Sequence, residues 1–284
     1  MSVVGQAPSA LTTRADARPV RLATEGLGKV FRKSGVEVEA LRDISLSVRD
    51  GEFVSIVGAS GCGKTTFLRL LNGLIAPTAG RVTLGGTPVT RPGREIAFVF
   101  QQDSLLPWRT VLANAVFGPE IQHRDMADAR RRARDILKLV GLSGFEGHYP
   151  HELSGGMRQR VNLARALTAG ADVLLMDEPF AALDAQTRIV MQSELMRIWR
   201  ETRKTTRLVT HQFDEAVYLS DRVFVFTARP GRLKEIVPID LPRPRDVDVK
   251  FTPEFLRLTN HIWKLIEEEV RLGVALDERA SGPH

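Results

Sequence analysis

FVSIVGASGCGKTTFLRLL, residues Phe53 to Leu71, is the stretch from which the rest of the chain is read. A strand-like run, FVSIV, leads into Gly58-Ala59-Ser60-Gly61-Cys62-Gly63-Lys64-Thr65, which fits G-x-x-x-x-G-K-[ST] without a mismatch. Glycines in this pattern let successive backbone N–H groups turn inward around phosphate oxygens. Phe67, Leu70, Leu71 and Leu74 then fall at i, i+3, i+4 and i+7, which predicts a helix ended by Pro77 and Gly80. The positive end of that helix faces the same phosphates. Lys64 is expected to reach the β- and γ-phosphates of a nucleotide. The Thr65 hydroxyl is expected to ligate Mg²⁺, and Thr66 to help hold the α-phosphate end.

Outward from this loop, short apolar runs alternate with helical patterns. RLATEGLGKVF and VEVEALRDISLSV precede it as strands, and RVTLGG and EIAFVFQQ follow as strands. From about 105 to 168 the character is helical. ADVLLMDEP and TRLVTH are strands again, separated by QTRIVMQSELMRIWRETRK with Met191, Leu195, Ile198 and Trp199 on one face. DEAVYLS reads as a short helix and DRVFVFTARPGRLKEIV as a hairpin about Pro230-Gly231. The alternation predicts an α/β fold with a largely parallel central sheet, interrupted by a helical subdomain at about 105–168. Residues 1–20 read as a disordered leader rather than a transit peptide, 21–237 as the main domain, and 238–284 as a linker, LPRPRDVDVK, with a C-terminal helical tail.

With 284 residues, 43% of them hydrophobic, the chain can bury a sizeable core. A net charge of +6 suits work near phosphates, nucleic acid or an anionic membrane surface, without choosing among them. A single cysteine, Cys62, excludes an internal disulfide. No apolar run reaches membrane-span length, so membrane work implies a peripheral subunit.

Two further motifs carry chemistry. The apolar strand VLLM delivers Asp177 and Glu178 to its C-terminal end, where α/β sheets place ligands. Asp177 is expected to hold Mg²⁺ through water, and Glu178 to polarise an attacking water as general base. Downstream of the phosphate loop, LSGGMRQRV (Leu153 to Val161) is a second glycine turn before a basic helix, without a lysine of the first kind. A helix N-terminus can bind an anion without one.

With LSGG, the phosphate loop and VLLMDEP together, the chain resembles the ATP-binding subunit of an ABC transporter over roughly residues 21 to 235. The resemblance implies an ABC-type P-loop NTPase domain, a RecA-like core with an antiparallel β subdomain and the inserted helical subdomain. It implies that Phe31 stacks on adenine and that Gln101 is a catalytic glutamine and metal ligand. Ala182-Leu183-Asp184 matches a D-loop, with Asp184 at the interface, and His211 matches the switch histidine. It also implies a head-to-tail dimer, of two copies or two paralogues, in which Ser154, Gly155 and Gly156 read the γ-phosphate bound to the partner chain. Departures from the common pattern are Met157, expected to pack; Gln212 where aspartate is usual, which leaves open how His211 is braced; and Phe31 for tyrosine, which keeps the stacking face. Cys62, beside Lys64 and a helix N-terminus, reads first as a small filler; the same surroundings raise the alternative of a lowered thiol pKa, with alkylation blocking ATP binding.

One nucleotide domain without a span suggests a separate integral-membrane permease, met through the segment around Trp108, with a solute-binding protein acting indirectly and no nucleic acid partner. A guanine motif N-K-x-D is absent. LLPWRTVLANAVFG, LSGGMRQRV and MDEPFAALD are similar to the nitrate, sulfonate and taurine importers. The expected activity is ATP hydrolysis driving uptake, with the protein peripheral on the cytoplasmic face of the membrane. Alternatives are an importer ATPase for another small solute, or a soluble ABC ATPase acting on other partners.

Overall fold

The computed structural model describes residues 17–33, 35–102, 104–181 and 183–280. The first sixteen residues of the expected leader therefore lie outside the description, but its last ones do not: Val20 already pairs with Arg49, and the Pro19 carbonyl accepts from the Asp50 N–H at 2.8 Å. Strands β1 (Val20–Lys33) and β2 (Val36–Arg49) form an antiparallel pair with Phe31 opposite Val38. Asp50-Gly51 then turns the chain into β3 (Phe53–Gly58), which leaves for a second sheet. β4 (Ala79–Leu84) and β5 (Thr87–Pro88) return to the first sheet, whose order is β2-β1-β4-β5.

The second sheet is the frame of the molecule. Its order is β10-β9-β3-β8-β7-β6, from β6 (Ile96–Val99), β7 (Val173–Asp177), β8 (Thr205–Val209), β9 (Arg222–Phe226) and β10 (Leu233–Pro238). All pairings are parallel except that of β9 with β10, the expected hairpin. β3, β7 and β8 are buried at every position, as central strands of a parallel sheet covered on both faces are, although β8 carries Thr205, Thr206 and Arg207. Their alternation still sorts two faces. Val54 and Ile56 join one apolar layer with Leu27, Leu41 and Phe67, while Phe53 and Val57 join the other with Trp199, Leu195 and Tyr218. Arg207 projects into the first layer, wholly buried, its guanidinium 5.7 Å from the Phe67 ring centroid. Burial lowers its pKa to about 9.

Helix α1 (Lys64–Leu71) follows the phosphate loop. It stops short of the expected end: Leu74 is 44% exposed, and neither Pro77 nor Gly80 is the terminator. Gly73 is, at φ 69°, where an added Cβ would lie 2.6 Å from the Arg91 backbone. Gly80 instead lets β4 approach β1, since a Cβ there would meet the Glu25 and Gly26 carbonyl oxygens at 2.3 Å.

Between the adjacent strands β6 and β7 the chain inserts α2 (Val111–Ala115), α3 (Phe117–Ile121), α4 (Met126–Leu139) and α5 (Gly155–Thr168). Their small and branched faces, Ala129, Ala133, Leu137, Val161 and Ala164, are buried together. Then come α6 (Ala185–Thr202), with Met191, Leu195, Ile198 and Trp199 all buried, α7 (Phe213–Leu219) and α8 (Pro253–Ala280). The stretch read as a linker is packed in place. Arg245, 6% exposed, donates to the carbonyls of Val217, Tyr218, Ser220, Ile239 and Leu241. Arg243 lies over Trp199 at 4.3 Å, and Lys250 donates to Gln192 at 2.8 Å. These bonds seat α8, whose Phe255, Leu258, Ile262 and Ile266 enter the core.

Replacing Gly73 with alanine forces a left-handed side chain against the Arg91 backbone. Gly73→Ala is expected to cost about 2 kcal/mol or more, read as a lower midpoint in urea unfolding.

Candidate active site

The parallel register fixes where chemistry can sit. β3, β6, β7 and β8 all end on one edge of the sheet, so the loops after them converge. Gly61 (φ 73°) and Gly63 (φ 98°) adopt left-handed backbone in the loop after β3, and Gly63 leads directly into α1. Lys64 is folded back over this loop, 8% exposed, its Nζ donating to Gly58 O at 2.8 Å and Ala59 O at 3.0 Å. Thr65 and Thr66 occupy the first turn of α1.

Asp177, at the end of β7, is 5% exposed and accepts from Thr65 Oγ1 at 3.2 Å. Burial pushes its carboxyl pKa up, against the Thr65 hydrogen bond that lowers it. A dication would relieve that penalty, and hydroxyl plus carboxylate are the hard oxygens Mg²⁺ takes. No group of three histidine, cysteine or acidic side chains placed to hold a metal ion exists among the described residues, so beyond Thr65, Asp177 and the Gln101 amide oxygen a Mg²⁺ shell would draw on nucleotide and water oxygens.

Glu178 sits at φ 46°, a left-handed conformation that costs a non-glycine residue about 1–3 kcal/mol. Two side chains from neighbouring strand ends meet its carboxylate. His211 Nδ1 lies 3.2 Å from Glu178 Oε2, and Gln101 Nε2 donates to the same oxygen at 3.4 Å. The phosphate loop, Thr65, Thr66, Gln101, Glu178 and His211 line one open cleft of about 660 Å³. Sequence reading brought all of these together but missed Arg229, which also lines it; a basic residue at the tip of a hairpin beside β3 was the available signal. A second groove, of about 770 Å³ beside β4 and β5, shares no residue with this cleft.

Other expected residues lie elsewhere. Phe31 is 41% exposed on β1, with Lys29 Nζ 5.2 Å from its ring centroid, and is not part of the cleft. Ser154 caps α5, its Oγ accepting from Met157 N at 3.3 Å, and Gly155 opens the helix. A Cβ on Gly156 would come within 3.1 Å of Thr187 Cγ2. Met157 packs against the core, as expected. Asp184 caps α6, accepting from the N–H groups of Gln186 and Thr187, and its pKa is held down by the Thr187 side chain first and then by these N–H groups. Ala182 lies outside the described residues. Trp108 is 71% exposed on a loop pinned by buried Asn114, which accepts from Leu106 N and donates to the Leu106, Arg109 and Thr110 carbonyls.

Cys62 is the small filler expected of it, and the alternative of a lowered thiol pKa is corrected. Its thiol is fully buried beneath Gly58, and burial raises its pKa despite Lys64 Nζ at 3.9 Å. Desolvation outweighs the neighbouring cation, so Cys62 fills space and offers the loop its backbone.

A model of the ABC transporter family matches residues 41–181. An uncharacterized ABC transporter ATP-binding protein of Methanocaldococcus jannaschii is 51% identical, over 90% of this chain and 94% of that protein. The taurine import ATP-binding protein of Burkholderia thailandensis is 44% identical (87% and 99%), and the aliphatic sulfonates import ATP-binding protein of Bacillus licheniformis 41% (84% and 91%). The chain belongs to the ABC transporter ATP-binding family. It is an ABC ATPase, and its fold is that of the solved members. A dimeric ATP-binding cassette in a post-hydrolysis state, bound to ADP and Pi, superposes with a TM-score of 0.69 at 31% identity, covering 78% of this chain and all of that one.

In this ABC ATPase the brace around the switch-position histidine is a buried one. Thr210 Oγ1 donates to Glu215 Oε2 at 2.5 Å and accepts from Gln212 N at 3.0 Å, so the Gln212 backbone, not its side chain, joins the network. Burial raises the Glu215 pKa from 4.5 to about 7. The native state thus holds a proton that the unfolded chain releases between these values. That stabilisation is full below pH 4.5 and is lost as pH rises through about 7. Glu215→Gln is neutral throughout, so its melting temperature relative to wild type should be higher at pH 8 than at pH 5. An unchanged difference would show that Glu215 is not protonated in the folded protein.

Proposed function

We propose that this chain is the ATP-hydrolysing subunit of an importer for a small anionic or zwitterionic solute of the sulfonate, taurine or nitrate kind, working through a separate permease. The observation that carries the catalytic reading is the meeting of Gln101 and His211 on the Glu178 carboxylate beside the phosphate loop. Backbone N–H groups of residues 58–64 and the start of α1 receive the phosphates. Lys64 releases its two carbonyls and turns to the β- and γ-phosphate oxygens, exchanging neutral acceptors for charged ones. Thr65, Asp177 and Gln101 would hold Mg²⁺, which supplies neutralisation of phosphate charge when bound. Glu178 accepts the proton of the attacking water, and His211 holds Glu178 and water in line.

Ser154, Gly155 and Gly156 stand outside their own chain's cleft, which supports a role on the nucleotide of a second cassette, with Asp184 at that interface. The dimeric cassette bound to ADP and Pi supports pairing with a second cassette. Phe31 supplies an exposed ring for adenine. Trp108, on its pinned loop, is the proposed contact with the permease, because an exposed indole on a rigid base suits an interface centre. The protein then lies peripherally on the cytoplasmic face, with a solute-binding protein acting through the permease. The cargo rests on the relatives named for taurine and aliphatic sulfonate import.

Removing the base should separate binding from turnover. Glu178→Gln is expected to keep ATP affinity, lose about 10²–10⁴-fold in hydrolysis rate and accumulate as an ATP-bound dimer in size-exclusion chromatography. Wild-type turnover would refute the assignment.

The cargo is tested by growth of a strain lacking this subunit, with taurine, alkanesulfonate or nitrate as sole sulfur or nitrogen source. A defect on one source, rescued by wild type and not by Glu178→Gln, is expected. Normal growth on all three would discard this cargo class while leaving the ATPase.

A further inference from the structure

The tip of the β9–β10 hairpin lies against the phosphate loop. β9 pairs in parallel with β3 as far as Phe226 opposite Gly58, so both chains leave the sheet at the same point. Gly231 then lies so close that a Cβ would fall 2.1 Å from Cys62 O. Its N–H donates to Ala40 O at 2.9 Å, and its carbonyl accepts from Arg42 N at 3.0 Å. Within this tip the exposed Arg229 lines the cleft, and its Nη2 makes a long bond, 3.4 Å, to Gly61 O. A guanidinium held by one weak neutral acceptor, beside a loop shaped for phosphate, is available for exchange onto an anionic oxygen.

The tip is also fixed from behind. Thr227 Oγ1 donates to the Ala228 or Pro230 carbonyl (3.0 and 3.1 Å) and accepts from Arg232 N at 3.0 Å. The Ala228 N–H, one residue before Arg229, donates at 2.9 Å to Glu269 Oε2 of α8. Glu269 is 7% exposed, and its other oxygen pairs with Lys234 Nζ at 2.9 Å. A buried, ion-paired carboxylate from the C-terminal helix thus sets the backbone from which Arg229 reaches the cleft.

We infer that Arg229 is a further phosphate contact for the bound nucleotide, and that Glu269 is its positioning residue, making α8 part of the nucleotide site without touching the ligand. This rests on the cleft being the nucleotide site. Because Arg229 meets the loop at Gly61, its ligand is the diphosphate portion common to ATP and ADP, and both nucleotides feel its loss. Ordering the hairpin beforehand lowers the entropy cost of recruiting a long side chain.

Equilibrium titration of the full-length protein with MgATP and MgADP tests this, by displacement of a fluorescent nucleotide. Arg229→Gln is expected to raise both dissociation constants about tenfold or more, with Arg229→Lys recovering part. Glu269→Ala should weaken both in the same direction and by less, with no further loss in the Arg229→Gln background. Lys64→Ala is the control. If Lys64→Ala weakens binding and Arg229→Gln does not, the inference fails and the site reading stands. If Glu269→Ala adds its full loss in the Arg229→Gln background, Glu269 acts by another route and its positioning role fails. If neither Lys64→Ala nor Arg229→Gln weakens binding, the site reading fails with the inference.

Discussion

The parallel seat of β3 between β8 and β9 is the constraint on which the rest depends. Ile56 lies opposite both Val209 and Phe224, and Gly58 opposite Phe226. Asp177 in turn lies opposite Val209. A shift of one residue would turn every strand's apolar alternation inside out. The same register brings the phosphate loop, Asp177–Glu178, His211 and the Arg229 hairpin to one edge. Folding energy and catalytic geometry therefore share one source: burial of Val54, Ile56, Phe53 and Val57 on two faces also aims the loops.

At that edge the polar groups are held in arrangements that a phosphate would improve. Lys64 bonds two neutral carbonyls, Asp177 is buried with one hydroxyl donor, and Arg229 has a long bond. Each is a serviceable internal contact and a weaker one than a charged phosphate oxygen or a dication offers. Binding energy can thus be spent on converting the cleft from one hydrogen-bond set to another. That is what a cassette needs if nucleotide is to select between two states.

Much of this was legible in the sequence because it is local. Strand, glycine turn and helix follow one another within Phe53–Leu71, and VLLMDEP carries its own burial and its own carboxylates. What escaped depends on contacts remote in sequence. Gly73 ends α1 because the Arg91 backbone lies against it, which no helical periodicity encodes. LPRPRDVDVK has linker composition, yet Arg245 finds carbonyls from α7 and the end of β10 and becomes structural. Cys62 has an electropositive sequence neighbour, but the sign of its pKa shift is set by depth, which only the fold supplies.

The second glycine turn makes sense in the same terms. Ser154, Gly155 and Gly156 do not line the cleft of their own chain; α5 belongs to the insertion between β6 and β7. Yet the turn is not isolated from the segment after Glu178. Gly156 abuts Thr187, and the Thr187 N–H is capped by Asp184, which closes the short segment leading from Glu178. The contact is close: a Cβ at 156 would lie 3.1 Å from Thr187 Cγ2, so that side chain would have to give by a few tenths of an ångström. A ligand at the Ser154 turn, as proposed, would be joined to the segment after Glu178 by one van der Waals contact and one capped helix start. On the proposed reading, in which the Ser154 turn serves the nucleotide of a second cassette, the two glycine turns of one domain sit at two ends of one path of contacts, and a second chain is what would let both meet phosphate at once.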